Sequence, residues 1–400
     1  MDPPMSSTVR AFMGGLVRKA VLSLVVVLCA VRDTTHAESL GSGPVIKSDE
    51  EVLKAVKEAI TADPNGYLEG WSSDDVCEWT GVVCGQLTPK KQTVTKIDWS
   101  SQRLEGSLPD SFHKLVHLQA LYLQENSFGG KLPDFSNWAG LKGIYVFDNY
   151  FTGVLPASVG SLKRLQALNV RNNQLSGEFP KDLEKLTSIK ELDLGFNDQL
   201  KGTLPADIEK LSNLEFLRLN GCQLHGTVPS MSKLSNLKAI RLNRNYLAGT
   251  LPAFEKTMTS LQELDIGSNQ IQGELPAVGE LPMLKSLDLR SNKFKGTIPS
   301  EYGKLPKVEW LKLSSNQLTG TIPTELGQMP NLQALYLDGN RLSGSVPAEM
   351  ANTARLKDMS VENNSKMCGD KVKIKKGKVR SKGTRVGKAC ATSPTGADEF

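Results

Sequence analysis

Apolar and polar positions along this chain repeat in one dominant rhythm. Around Asn126 the sequence reads LQALYLQENSFGGKLP. The same register returns at Asn149, Asn173, Asn197, Cys222, Asn245, Asn269, Asn292, Asn316, Asn340 and Asn364, with Gln102 one unit earlier. The spacing stays between 23 and 25 residues and defines twelve units over residues 94–365. A fixed period of this size marks a stacked array, so a length that would otherwise suggest several globular domains implies one elongated one.

Inside a unit, apolar residues alternate through an L-x-L core such as Leu168 and Val170, which predicts a short strand with one face turned inward. No single unit can bury that face alone. Stacked in parallel, the units bury their leucines in one continuous core and form an α/β repeat solenoid with caps at both ends. The ladder positions, Asn126, Asn149, Asn173, Asn197, Asn245, Asn269, Asn292, Asn316 and Asn340, fall where the chain leaves the strand. Their amides can bond backbone groups of adjacent turns that would otherwise be buried without partners. Cys222 holds the same position and reads as a small structural hydrophobe, since the repeat places no base beside it. Glycine, then one residue, then an apolar residue and proline follow each of these positions through Asn340. Glycine supplies a turn and proline ends the segment. Segments such as SLKRL and KLSNL then predict a short helical turn on the opposite side.

The L-x-G-x-[LI]-P pattern resembles that of plant-type leucine-rich-repeat proteins, a group that includes polygalacturonase inhibitors and receptor-kinase ectodomains. The same repeat type occurs in surface antigens of trypanosomatid parasites, and DDVCEWTGVVC is similar to the N-terminal caps of both. The resemblance spans about residues 50–368. It implies a right-handed superhelix with a parallel sheet on the concave face and short helical turns on the convex face. It also implies recognition of a protein or polysaccharide on the concave side, as an extracellular binding protein, an enzyme inhibitor or a surface adhesin. One scaffold hosts many partners, so the ligand stays open.

The ends of the chain add to this picture. Arg10, Arg18 and Lys19 precede an apolar run over residues 20–31, and Thr35-His36-Ala37 offers a cleavage site, so residues 1–37 read as an export signal. The run is too short to span a bilayer, and no later segment of the mature chain is apolar enough to do so. Secretion or display at the cell surface follows, and with it an oxidising environment. Residues 38–93 form the expected N-terminal cap. Ser48 and Glu51 suit a capping box, and Val52, Leu53, Ala55, Val56, Ala59 and Ile60 make a helical apolar face. A Cys77–Cys84 disulfide would then hold Trp71 and Trp79 over the first repeat. In the C-terminal cap, residues 366–390, a second disulfide would join Cys368 to Cys390. Ten basic residues lie between Lys366 and Lys388 against Asp370 alone, a net +9. Its KVKIKK run predicts a β-ribbon, with polyanion binding as the sharper alternative. Residues 391–400 are a flexible tail with no anchor signal. Asn363-Asn364-Ser365 makes Asn363 an acceptor for N-linked glycosylation.

Nothing converges on catalysis. His113, His117 and His225 sit at turn or convex positions, and no triad, phosphate loop or metal-ligand spacing is present. The expectation is a binding protein, not an enzyme, with no cofactor or metal and no nucleic-acid partner. Residues that alternate with the core leucines face outward across the sheet. One such column runs Asp98, Tyr122, Tyr145, Asn169, Asp193, Arg218, Arg241, Asp265, Asp288, Lys312, Tyr336 and Ser360. The next contains Phe147 and Arg171. The candidate ligand-binding residues are therefore an aromatic cluster, Tyr122, Tyr145 and Phe147, and an arginine group, Arg171, Arg218, Arg241 and Arg244. Asp193, Asp265 and Asp288 are placed to neutralise the arginines.

Overall fold

The computed structural model describes residues 45–254, 256–375 and 377–390. The expected export signal, residues 1–37, and the tail, residues 391–400, lie outside the described residues. The repeat builds a fourteen-stranded sheet. Its first strand, Val82–Thr88, pairs antiparallel with Lys91–Asp98, and every later neighbour is parallel. Three-residue strands follow one per unit, from Ala120–Tyr122 to Asp358–Ser360. Register is uniform: Asp98, Tyr122, Tyr145, Asn169, Asp193 and Arg218 stand opposite one another in turn. The inward leucines are sealed from water, for example Leu121 at 1 %, Leu168 at 0 % and Leu264 at 0 % exposure. Each side chain buried to that degree contributes roughly 1.5–3 kcal/mol, and the sum over the array holds the stack together.

The ladder forms as the pattern requires. Each asparagine donates to carbonyls of its own and of the preceding unit, as Asn126 does to Leu123 (2.9 Å) and Trp99 (2.6 Å). Its Oδ1 accepts from the preceding unit, here from Leu104 N at 2.9 Å. The residue before each ladder position is left-handed, from Ser101 (φ 58°) through Asn363 (φ 55°). Cys222 donates weakly to Leu194 O at 3.5 Å and has no oxygen with which to accept from Leu200. The unit it closes is the one with 25 residues, and Leu200 N turns to Asn197 O at 3.0 Å instead.

One feature of the repeat differs from expectation, and the expected helical turn takes a specific form. The L-x-G segment is not only a turn: it forms short parallel strands of its own, such as Gln174–Glu178 beside Gln199–Thr203. The helical turns opposite the sheet are 3-10 turns such as Asp110–Lys114 and Thr324–Gln328. Units with 23 residues, those ending at Asn149, Asn245 and Asn292, have the missing residue in that segment and no 3-10 helix there, and the 24-residue unit ending at Asn269 has none among its described residues either.

Both caps close by means the sequence reading only partly anticipates. The N-terminal helix Lys47–Ala59 starts after Ile46, with no side-chain cap. The Ser48–Glu51 capping box therefore does not form. Asp49 is fully buried instead, accepting from Thr93 Oγ1 at 2.7 Å and Val94 N at 2.9 Å, so it ties the helix to the sheet. Trp71 stacks on Trp79 (5.1 Å) and meets Trp99 of the first unit (4.9 Å), beside the Cys77–Cys84 disulfide. At the other end, the KVKIKK run is not a ribbon: residues 371–374 carry no strand. The basic segment supplies Lys378–Arg380, a parallel strand added to the same sheet, while Ile374 is buried. Gly377 permits this approach, since a Cβ there would lie 1.9 Å from Lys357 O. Cys368 and Cys390 are bonded, with Cα atoms 5.1 Å apart.

Candidate ligand-binding face

Alternation along three-residue strands leaves two side chains of each strand on the outer face of the sheet. The first of these, the column Lys96, Ala120, Gly143, Ala167, Glu191, Phe216, Ala239, Glu263, Ser286, Trp310, Ala334, Asp358 and Lys378, was missed by the sequence reading. Its signal was available: it lies two residues before the column built on Tyr122. It matters because it holds the acids that decide the fate of the arginines.

Near the N-terminal end, Tyr122 and Tyr145 stack with centroids 5.2 Å apart and planes 6° from parallel. Lys96 lies 4.9 Å over the Tyr122 ring. Small neighbours, Ala120 and Gly143, leave these rings standing above the sheet. Phe147, half-buried, follows in the next column, and the Arg171 guanidinium sits 5.0 Å over the ring of Phe196. Lysine, three rings and arginine thus share one end of the face, with Phe196 beside them at a left-handed turn position off the strand columns (φ 56°).

The middle of the face is ionic. Arg218, only 12 % exposed, approaches Glu191 at 3.2 Å and Asp193 at 3.9 Å. Arg241 makes a two-pronged contact with Glu263, both bonds 2.8 Å. Both guanidinium groups are thus engaged within the protein by acids of neighbouring strands, Asp193 as expected but chiefly Glu191 and Glu263. Arg244 is exposed but occupies the left-handed turn position (φ 59°), off the strand columns. Burial pushes the Glu191 and Asp193 carboxyls upward, against the pull of Arg218. Burial works against the Arg241 charge, but Glu263 more than offsets it and holds the guanidinium above its ordinary value. Burial, helped by neighbouring Asp288, pushes Asp265 up to about 6. Asp288 Oδ2 has Lys312 at 3.2 Å and Arg290 at 3.3 Å, yet neither is aligned to donate a hydrogen bond. At the far end, Asp358 joins Tyr336 and Arg380, each at 3.0 Å.

The remaining candidates lie elsewhere. Cys222 is buried, and burial pushes its thiol up to about 11, which suits the structural role. Asn363 is exposed at a turn beside Gly383. Among the described residues no helix is long and apolar enough to cross a membrane.

Comparison with known proteins agrees with this architecture. Residues 100–296 match the family described as "Leucine-rich repeat region", residues 282–342 "Leucine rich repeat", and residues 46–85 "Leucine rich repeat N-terminal domain". The chain is 35 % identical over 142 residues to MDIS1-interacting receptor like kinase 1 of Arabidopsis thaliana, covering 35 % of this chain and 13 % of the relative. Among solved structures it is similar to a TDR receptor (TM-score 0.65, 33 % identity, 69 % of this chain and 50 % of that one). It is also similar to the plant peptide hormone receptor RGFR1 in complex with RGF2 (TM-score 0.64, 30 % identity, 76 % and 53 %). The chain thus spans only a fraction of the relatives it matches.

Proposed function

The chain belongs to the plant-type leucine-rich-repeat proteins, and on that premise we propose that it is an extracellular recognition protein binding a peptide or protein across its sheet face. The observation that carries the reading is the aromatic end of that face: the Tyr122–Tyr145 stack flanked by Lys96, Phe147, Arg171 and Phe196. Rigid aromatic and arginine side chains on a preordered surface lose little entropy on binding and are the usual anchors of interfaces. The ionic middle, already neutralised, suits a polar rim that sets register more than affinity. One similar protein is described as a plant peptide hormone receptor and another as a phytosulfokine receptor, which supports a peptide ligand and an extracellular setting. The enzyme-inhibitor alternative would draw support from an acidic partner at the arginine group, and Arg218 and Arg241 are already engaged by Glu191 and Glu263.

The test is capture of a partner by cross-linking the chain on cell surfaces and in extracellular fluid. The parent is compared with the Tyr122→Ala/Tyr145→Ala variant. Both rings are partly exposed, so the variant should melt as the parent does while losing at least about tenfold in affinity for that partner. Equal affinity in parent and variant would remove the sheet-face reading.

A further inference from the structure

A second surface lies off the sheet face, beside the N-terminal hairpin. Here a half-open groove of about 530 Å³ runs between the strand Val82–Thr88 and the turns that feed the next strands. Its apolar part is Leu87 and Val116, which are 39 % and 42 % exposed, unusual for aliphatic residues in this chain. Its polar part includes His117, Lys142 and Arg164, and no aspartate or glutamate lines it. Lys142 and Arg164 are exposed and have no carboxylate partner among the described residues. That contrasts with the sheet face, where the buried cations are matched by acids.

Leu87 does not reach this position by chance of exposure. The hairpin register slips between Gln86 and Thr88, so Leu87 is the extra residue of a bulge. Bulges re-aim a side chain out of the alternation that the strand would otherwise impose. A plain ladder would have no need to hold a leucine in water beside two unpaired cations.

We propose that this groove is a second binding site, which takes an acidic peptide segment carrying an aliphatic side chain. Lys142 and Arg164 meet its carboxylates, and Leu87 with Val116 covers its aliphatic residue. An acidic polysaccharide would satisfy the cations equally well, but its sugar rings find no tryptophan, tyrosine or phenylalanine in the lining, whereas aliphatic contact is provided. Charge complementarity draws the segment in and the apolar contact retains it.

The test is selection of a random displayed-peptide library on the full chain. The leading peptide is then titrated by fluorescence anisotropy. Enriched sequences should pair aspartate or glutamate with leucine, isoleucine or valine. Affinity should fall at least about tenfold in Lys142→Glu/Arg164→Glu and severalfold in Leu87→Ser/Val116→Ser. The Tyr122→Ala/Tyr145→Ala variant should bind this peptide as the parent does, which keeps the site distinct from the sheet face. All these positions are at least partly exposed, and matching thermal melts confirm that folding is kept. Absence of enrichment, enrichment of basic or neutral sequences, or equal affinity in the charge-reversed variant overturns the proposal. So does binding of an oligogalacturonate that depends on Lys142 and Arg164 when no peptide is retained.

Discussion

Asn245 illustrates how one side chain serves two units at once. It donates to Leu219 O (2.8 Å) and Leu242 O (3.0 Å) and accepts from Leu224 N (3.0 Å), at 6 % exposure. Asn245→Ala leaves these backbone groups buried and unpaired, so it should cost roughly 1–3 kcal/mol, read as a lower denaturation midpoint. An unchanged midpoint would mean that the ladder is incidental. Position 222 shows what the protein does when the amide is absent. The extra residue in that unit brings Asn197 O to Leu200 N, and the thiol fills the remaining space. The ladder position and its departure at Cys222 were legible in the sequence. The compensation was not, because it depends on where one backbone carbonyl points after an insertion.

Between elements, the decisive quantity is the register of neighbouring strands. Asp265 and Asp288 stand opposite each other on adjacent strands, and burial with this like charge raises the Asp265 carboxyl to about 6. A carboxyl raised above its ordinary value contributes fully at low pH, and that contribution is lost as pH rises through the folded-state value. Asp265→Asn should therefore gain thermal stability over the parent as pH increases from about 4 to about 7, with the two nearly equal at the acid end. Glu191 and Asp193 are shifted in the same direction, so the variant should itself retain some slope. Melting temperatures across that range decide the matter, and a constant difference between the two proteins counts against the assignment. The outward columns could be written down from alternation alone. Which acid engages which arginine could not: Glu191 and Glu263 sit in the column left unread, and reach across strands to Arg218 and Arg241.

At the scale of the whole array, the two ends are finished differently. The N-terminal end is sealed by stacked tryptophans, and the C-terminal end by a basic segment whose strand continues the sheet. Lys373, Lys375 and Lys378 are exposed there, while Ile374 and the backbone pairing of Lys378–Arg380 do the capping. Arg380 is bonded to Asp358, whereas Lys373, Lys375 and Lys378 make no ion pair among the described residues, and we propose that these lysines take a polyanion. Retention on an immobilised sulfated glycan should weaken steeply as salt shortens the Debye length below about 8–10 Å. It should also weaken in Lys373→Gln/Lys375→Gln/Lys378→Gln, with melting unchanged. Equal retention of parent and variant at low salt would leave this end as a solvated lid.

Periodicity alone determined the repeat, the parallel sheet, the ladder and the composition of the outward face, because each of these is a local rule applied again and again: alternation sets which side chains point inward, and stacking aligns what the rule repeats. Tertiary structure alone decided what happens where the rule is interrupted. The Ser48–Glu51 box gives way to Asp49 bonding the strand Lys91–Asp98, KVKIKK yields its expected ribbon to Lys378–Arg380, and the Leu87 bulge opens a groove. Each interruption is resolved by whichever distant group offers a buried polar atom a partner or a side chain a space. Such partners are neighbours only after the chain has folded.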